Sequence, residues 1–158
     1  MPARAAASSL ETDVLVCGGG VAGTMAAIAA ARGGADVTLV ERYGFLGGNA
    51  TAGAVAQFNS WQTPSGRPVV AGLAAGVVER LRALGAAGPL QRFTMSNGHV
   101  MDRVEYSPEV LKLVLDEMVT QAGVRPLLHA SVLDVDRDGR AIETVHLHSK
   151  SGILAVRP

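Results

Sequence analysis

The chain has 158 residues, 48% hydrophobic and 18% charged, with Lys plus Arg and Asp plus Glu both at 14. This length and composition describe one globular domain or part of one and exclude a disordered chain. The zero formal charge removes the electrostatic argument for a nucleic acid or an anionic membrane as partner.

Taken in order, "MPARAAASSLET" (1–12) lacks the apolar stretch of a signal peptide and predicts a disordered tail. "DVLVC" (13–17) is a short Val-rich run that meets glycine at once, which predicts a buried strand with an abrupt end. "VAGTMAAIAAARGG" (21–34) predicts a helix stopped by Gly33 and Gly34, and "ADVTLVE" (35–41) a second strand. Strand, glycine turn, helix and strand make one βαβ unit with a parallel pair and a right-handed crossover.

From Arg42 to Tyr106 the pattern is irregular, broken by "GFLGGNATAGAV" and "QTPSGRPVVAG", with one helix expected over 73–84. A firmer helix follows in "SPEVLKLVLDEMVTQAG": Ser107 suits the N-cap, Pro108 the first helical position, and Gly123 the end. Leu111, Val114, Leu115 and Met118 share one face of it. Strands over 126–135, 140–149 and the final "ILAVRP", joined by tight turns, predict a three-stranded meander. No run approaches the roughly 18 uninterrupted apolar residues of a membrane span. The single cysteine, Cys17, excludes an intrachain disulfide and fits a reducing compartment, so a cytoplasmic protein is expected.

The opening βαβ segment carries G-x-G-x-x-G-x-x-x-A-x-x-x-x-x-x-G-x-x-V-x-x-x-E at Gly18, Gly20, Gly23, Ala27, Gly34, Val37 and Glu41. Gly18 allows a tight exit from the strand, Gly20 has no Cβ to obstruct a pyrophosphate, and Gly23 lets the helix lie close to the sheet. The turn Gly18, Gly19, Gly20, Val21, Ala22 and Gly23 then presents free N–H groups at the positive end of a helix. Glu41, ending the second strand, is placed to accept from a ribose diol and to repel a 2′-phosphate. The ligand implied is FAD or NAD rather than NADP.

This stretch resembles the FAD-binding fingerprint of the glutathione-reductase-like flavoprotein superfamily. "ERYGFLGGNATAG" narrows the resemblance to the branch related to the fumarate reductase and succinate dehydrogenase flavoproteins. That resemblance implies a Rossmann-like α/β FAD-binding fold over 13–158, with a helix-flanked parallel sheet bearing a three-stranded antiparallel meander and 52–106 an insertion toward the substrate. It puts Arg42 beside the adenosine end, and Gly47, Gly48, Asn49, Ala50 and Thr51 along the pyrophosphate and flavin side. Two glycines before a short polar residue also suit an anion-binding backbone nest. Val132 is implied to meet adenine through its backbone. The family continues past the meander into a further parallel strand with a second FAD motif. The chain is therefore expected to be the N-terminal part of a longer flavoprotein, its first strand an unpaired edge open to association.

The implied function is an FAD-dependent oxidoreductase exchanging hydride with a small-molecule substrate, with no catalytic residue or metal ligand assigned. The alternatives are an NAD-dependent oxidoreductase domain and a truncated, non-catalytic dinucleotide-binding module. Cys17 is expected in the core, His146 and His148 on a solvated strand face, and His129 in a structural hydrogen bond. His99 lies in the irregular region and could face a substrate, while Trp61 and Phe58 suit a flavin stack or a loop anchor.

Overall fold

The computed structural model describes residues 8–158, which separate into two compact units. One takes in the chain up to Leu46 together with Asp116–Pro158; the other is Gly47–Leu115.

The first unit is built on the predicted βαβ element. Strand β2 (Val14–Cys17) leads into helix α1 (Val21–Arg32), and β3 (Val37–Glu41) returns parallel to β2 with Val14 opposite Val37 and Cys17 opposite Val40. Every residue of β3 is buried, as befits the middle strand of a sheet covered on both faces. Strand β7 (Arg125–Leu128) pairs parallel with its other side, giving the order β2-β3-β7 and leaving β2 at the edge. Alanine content suits α1 to its place: Ala27 and Ile28 are fully buried, and the helix packs on β2 and β3. Gly23 permits this approach, because a Cβ there would overlap the Gly18 carbonyl oxygen and sit 3.5 Å from Val16 Cγ1.

A second sheet in this unit has the order β1-β10-β9-β8, made by β1 (Ser8–Glu11), β8 (Ser131–Asp138), β9 (Ala141–Ser149) and β10 (Gly152–Arg157). Val145, Leu147 and Val156 of this sheet close a core with Val40 and Ala130, packed round by Leu10, Leu15, Leu127 and Leu154. The three-stranded meander is thus part of a four-stranded sheet. The expected tail over 1–12 is corrected from Ser8 onward: Ser8–Glu11 pairs parallel with β10, and Thr12 is buried with its hydroxyl donating to Asp36 O at 2.9 Å. Residues 1–7 of that expectation lie outside the described residues. The single strand expected over 126–135 is two strands, because His129 adopts the left-handed conformation (φ 55°) and turns the chain from one sheet into the other.

The second unit holds α2 (Leu73–Ala83) and a sheet of β4 (Gln57–Asn59), β5 (Gln91–Thr94) and β6 (Val100–Glu105) in the antiparallel order β4-β6-β5. Part of the region expected to be irregular is therefore ordered sheet. Strands of three and four residues separated by glycine and proline turns are too short to register as alternation. Asp102 anchors the turn after β4: it is buried, and its carboxylate accepts the Trp61 amide at 2.6 Å. Helix α3 (Pro108–Gln121) begins in this unit and ends in the first, keeping Leu111, Val114, Leu115 and Met118 buried as their spacing requires.

Gly23→Ala is expected to destabilise the chain by about 1–3 kcal/mol, since its methyl must displace backbone rather than a flexible side chain. Urea denaturation of the two proteins measures this, and an unchanged midpoint would show that α1 can shift outward freely.

Candidate functional site

The site begins where β2 and β3 end side by side. Gly18 leaves β2 with φ 112°, a conformation closed to ordinary side chains, and its amide donates to Val40 O at 2.8 Å. Gly20 then caps α1 in extended conformation with no side-chain cap, and the first turn of the helix contains no acidic residue. The first N–H groups of α1 and the positive end of its dipole are thus neutralised by no side chain. A Cβ built on Gly20 would meet nothing within 4 Å, so the space over this turn is open.

Glu41 organises the opposite side. Only 6% exposed, its carboxylate accepts the Gly19 amide at 2.7 Å through Oε2 and the Tyr43 amide at 2.9 Å through Oε1. Gly19 is held close enough that a Cβ would lie 2.9 Å from Glu41 Cβ and 2.6 Å from Leu46 Cδ2. The carboxylate expected to face a sugar is therefore committed first to two backbone donors. Each of its oxygens retains a second lone pair that can accept a hydroxyl.

Glu41, Gly18, Arg42 and Val132 line one cleft of about 260 Å³, together with Cys17 and Ser131. The structure thus brings together four residues that sequence reading had drawn from three separate stretches. Val132 belongs to β8, opposite Leu147 of β9. Arg42 lies over the Tyr43 ring, 4.8 Å from its centroid, and donates to the Tyr43 hydroxyl at 3.2 Å. Cys17 is a correction: it is exposed in the cleft rather than packed in the core. Its surroundings still exclude enough water for burial to push the thiol above the ordinary cysteine value. Cys17, Ser131 and the Tyr43 amide were missed as site components; only the position of Cys17 immediately before Gly18 could have signalled its place.

Gly47, Gly48, Asn49, Ala50 and Thr51 belong to the second unit. Gly48–Ala50 forms a 3-10 turn entered through Gly47 at φ 108°, and the amides of Ala50 and Thr51 donate to Gly47 O and Gly48 O at 3.1 and 3.0 Å. Two of the amides anticipated for an anion nest are thereby used within the turn itself. Tyr106 pins the turn, its hydroxyl meeting the carbonyls of Ala50 and Val55. Burial raises that phenol to about 12. Phe58 stacks on the Tyr106 ring at 4.3 Å, and Trp61 Nε1 donates to Phe58 O at 2.9 Å, which makes this aromatic group a loop anchor.

Of the remaining histidines, His99 and His148 are exposed, and His146 Nε2 sits 2.6 Å from Asp136 Oδ2 on the neighbouring strand. Among the described residues no group of three or more His, Cys, Asp or Glu could hold a metal ion, and no helix is long and apolar enough to cross a membrane.

A parallel βαβ unit with a bare glycine turn and a buried acid at the next strand's end defines a Rossmann-like dinucleotide-binding fold. The chain belongs to the FAD dependent oxidoreductase family, which it matches over residues 13–157, and FAD is its cofactor. Over 45 residues it is 56% identical to the cinnamate reductase of Clostridium sporogenes, a match covering 28% of this chain and 7% of that protein. Its fold resembles the open conformation of a flavocytochrome c3 fumarate reductase (TM-score 0.61, 23% identity, 96% of this chain and 33% of that one). It also resembles THI4 of Thermovibrio ammonificans (TM-score 0.60, 19% identity, 93% and 54%). The chain thus spans between a third and just over half of these two solved structures. The residues present fit FAD: the helix start offers uncapped donors, no side chain of the glycine turn obstructs them, and a carboxylate lines the adjoining cleft.

Two measurements probe these sites. Alkylation of Cys17 by iodoacetamide is expected to be slower at neutral pH than that of a free cysteine, to accelerate as pH rises past the ordinary value of 9.0, and to slow further with FAD present. An FAD-independent rate would place the cofactor elsewhere. Tyr106→Phe is expected to cost about 1–3 kcal/mol through the carbonyls it leaves unpaired. Because folding raises the phenol from 10.0 to about 12, the native chain should be fully favoured below pH 10 and lose stability as pH rises from there toward 12. Tyr106→Phe should lose that alkaline slope in a pH series of thermal melts.

Proposed function

We propose that the chain holds FAD along the β2–α1 turn and the adjoining cleft of the first unit, and that the protein is an oxidoreductase acting on a small-molecule substrate. The observation that carries this reading is the pairing of an uncapped helix start, open above Gly20, with the Glu41 carboxylate held at the cleft wall. In this reading the amides from Gly20 to Gly23 receive the diphosphate, and Glu41 accepts the ribose hydroxyls through the lone pairs that Gly19 and Tyr43 leave free. Arg42 flanks the adenosine, and the backbone at Val132 borders the adenine.

When bound, FAD supplies an isoalloxazine ring that accepts or delivers hydride. The chain's own contribution is position and electrostatics. The helix start offsets the diphosphate charge, and the Glu41 carboxylate selects against a 2′-phosphate by repulsion. Its two backbone donors keep that carboxylate fixed at the cleft wall, where its negative charge can face the sugar. A cytoplasmic location belongs to the same reading, supported by a lone cysteine without a disulfide partner. Association through the free edge of β2 is a further part of it, since its outward backbone groups face no strand among those described.

The decisive variant is Gly20→Val. Its side chain enters open space, so the apo fold is expected to persist with a melting temperature near that of the parent. FAD affinity, followed by flavin fluorescence, should fall at least about 100-fold, or roughly 2.7 kcal/mol. Undiminished binding in a folded Gly20→Val protein would remove the diphosphate from this turn.

A further inference from the structure

The turn between β7 and β8 contains a histidine where backbone conformation alone would favour glycine. His129 has φ 55°, and it is one of three non-glycine residues with positive φ among those described. Its neighbours give the position a purpose. The His129 amide donates to Tyr43 O at 3.1 Å, and the Ala130 amide to Glu41 O at 3.0 Å. These two bonds continue past the last parallel pair, Glu41 opposite Leu128, and fasten the segment that leaves β3. The imidazole completes the fastening from the side: a Cβ at Gly44 would stand 2.6 Å from His129 Nε2 and 2.8 Å from Cε1. The ring therefore occupies the space a side chain at position 44 would need, and the segment 41–44 is held at Glu41, Tyr43 and Gly44.

That segment carries the cleft wall. Glu41 and Arg42 line it directly, and the Tyr43 amide is one of the two donors that orient the Glu41 carboxylate. We propose that His129 is a positioning residue for the adenosine end of the cofactor cleft, its amide and ring together holding Glu41–Gly44 so that the Glu41 carboxylate meets the ribose at a fixed angle. This deepens the cofactor reading given above and rests on it. His129 touches neither reacting atoms nor, in this proposal, the nucleotide. It acts through Tyr43 and Gly44. Glycine at position 129 would satisfy the backbone and lose the ring, whereas alanine at position 44 would keep the ring and push it away.

The test uses the full chain with ADP and its 2′-phosphorylated analogue as probes, measured by calorimetry beside FAD. In the parent protein ADP is expected to bind better than the analogue, because Glu41 repels the added phosphate. In H129G, affinity for FAD and ADP should fall about tenfold and the preference for ADP over the analogue should narrow by a similar factor, as a displaced carboxylate loses both its grip and its repulsion. General loosening of the fold would weaken both probes equally and leave the ratio intact, so an unchanged ratio overturns the proposal. G44A approaches the same contact from the other side and should narrow the ratio likewise. Adding G44A to H129G should cost little more, since the clashing ring is gone. Should H129G fail to fold, G44A and H129N, whose asparagine tolerates positive φ, decide the matter by the same ratio. A parent chain that binds neither FAD nor ADP refutes the cofactor reading itself. A parent that binds both, with variants indistinguishable from it, refutes only the role of His129.

Discussion

The first unit depends on one buried carboxylate. Glu41 links the glycine turn after β2 to the segment after β3 by accepting one amide from each, at 2.7 and 2.9 Å. A charge that is only 6% exposed must be compensated, and here two backbone dipoles donate to it directly. The arrangement makes the turn and the exit loop a single piece. The same group thus serves the fold and, in the proposed reading, is the acid that meets the ribose.

Around that bond, three glycines of one turn have different physical tasks. Gly18 is needed for its backbone angle, Gly19 for the lack of space beside Leu46 and Glu41, and Gly23 for the approach of α1 to the Gly18 carbonyl. Gly20 is needed by none of these, since it has room above it and an ordinary φ of −62°. In the proposed reading this room is what a diphosphate needs to approach the backbone. The uncapped helix start beneath it suits an anion, as the proposed reading requires.

The two sheets of the first unit explain why the cleft has a second wall. Leu147 and Val156 seat the four-stranded sheet against Val40, and β8 thereby presents Ser131 and Val132 beside Cys17 and Glu41. The turn at His129 is where the chain changes sheets, and the amides of His129 and Ala130 join β3's exit to β8's entry.

The βαβ unit, α2, α3 and the residues of the glycine turn were legible because their signals are local: an apolar run, glycines at fixed offsets, an amphipathic face, a cap. The pairing of Ser8–Glu11 with β10, the break at His129 and the sheet in the second unit were not. A short strand is stabilised by a partner distant in sequence, and its own residues carry little period to read. Cys17 shows the same limit, because a small apolar-like residue at a strand end looks buried until the neighbouring strands are in place. By itself the sequence pointed to a dinucleotide and to residues that could meet it, since glycine offsets and a terminal acid encode backbone shape and charge directly. Only the tertiary structure decided that Glu41 is held by Gly19 and Tyr43 and that β8 walls the cleft, because those contacts join residues whose proximity exists only after the sheets have packed.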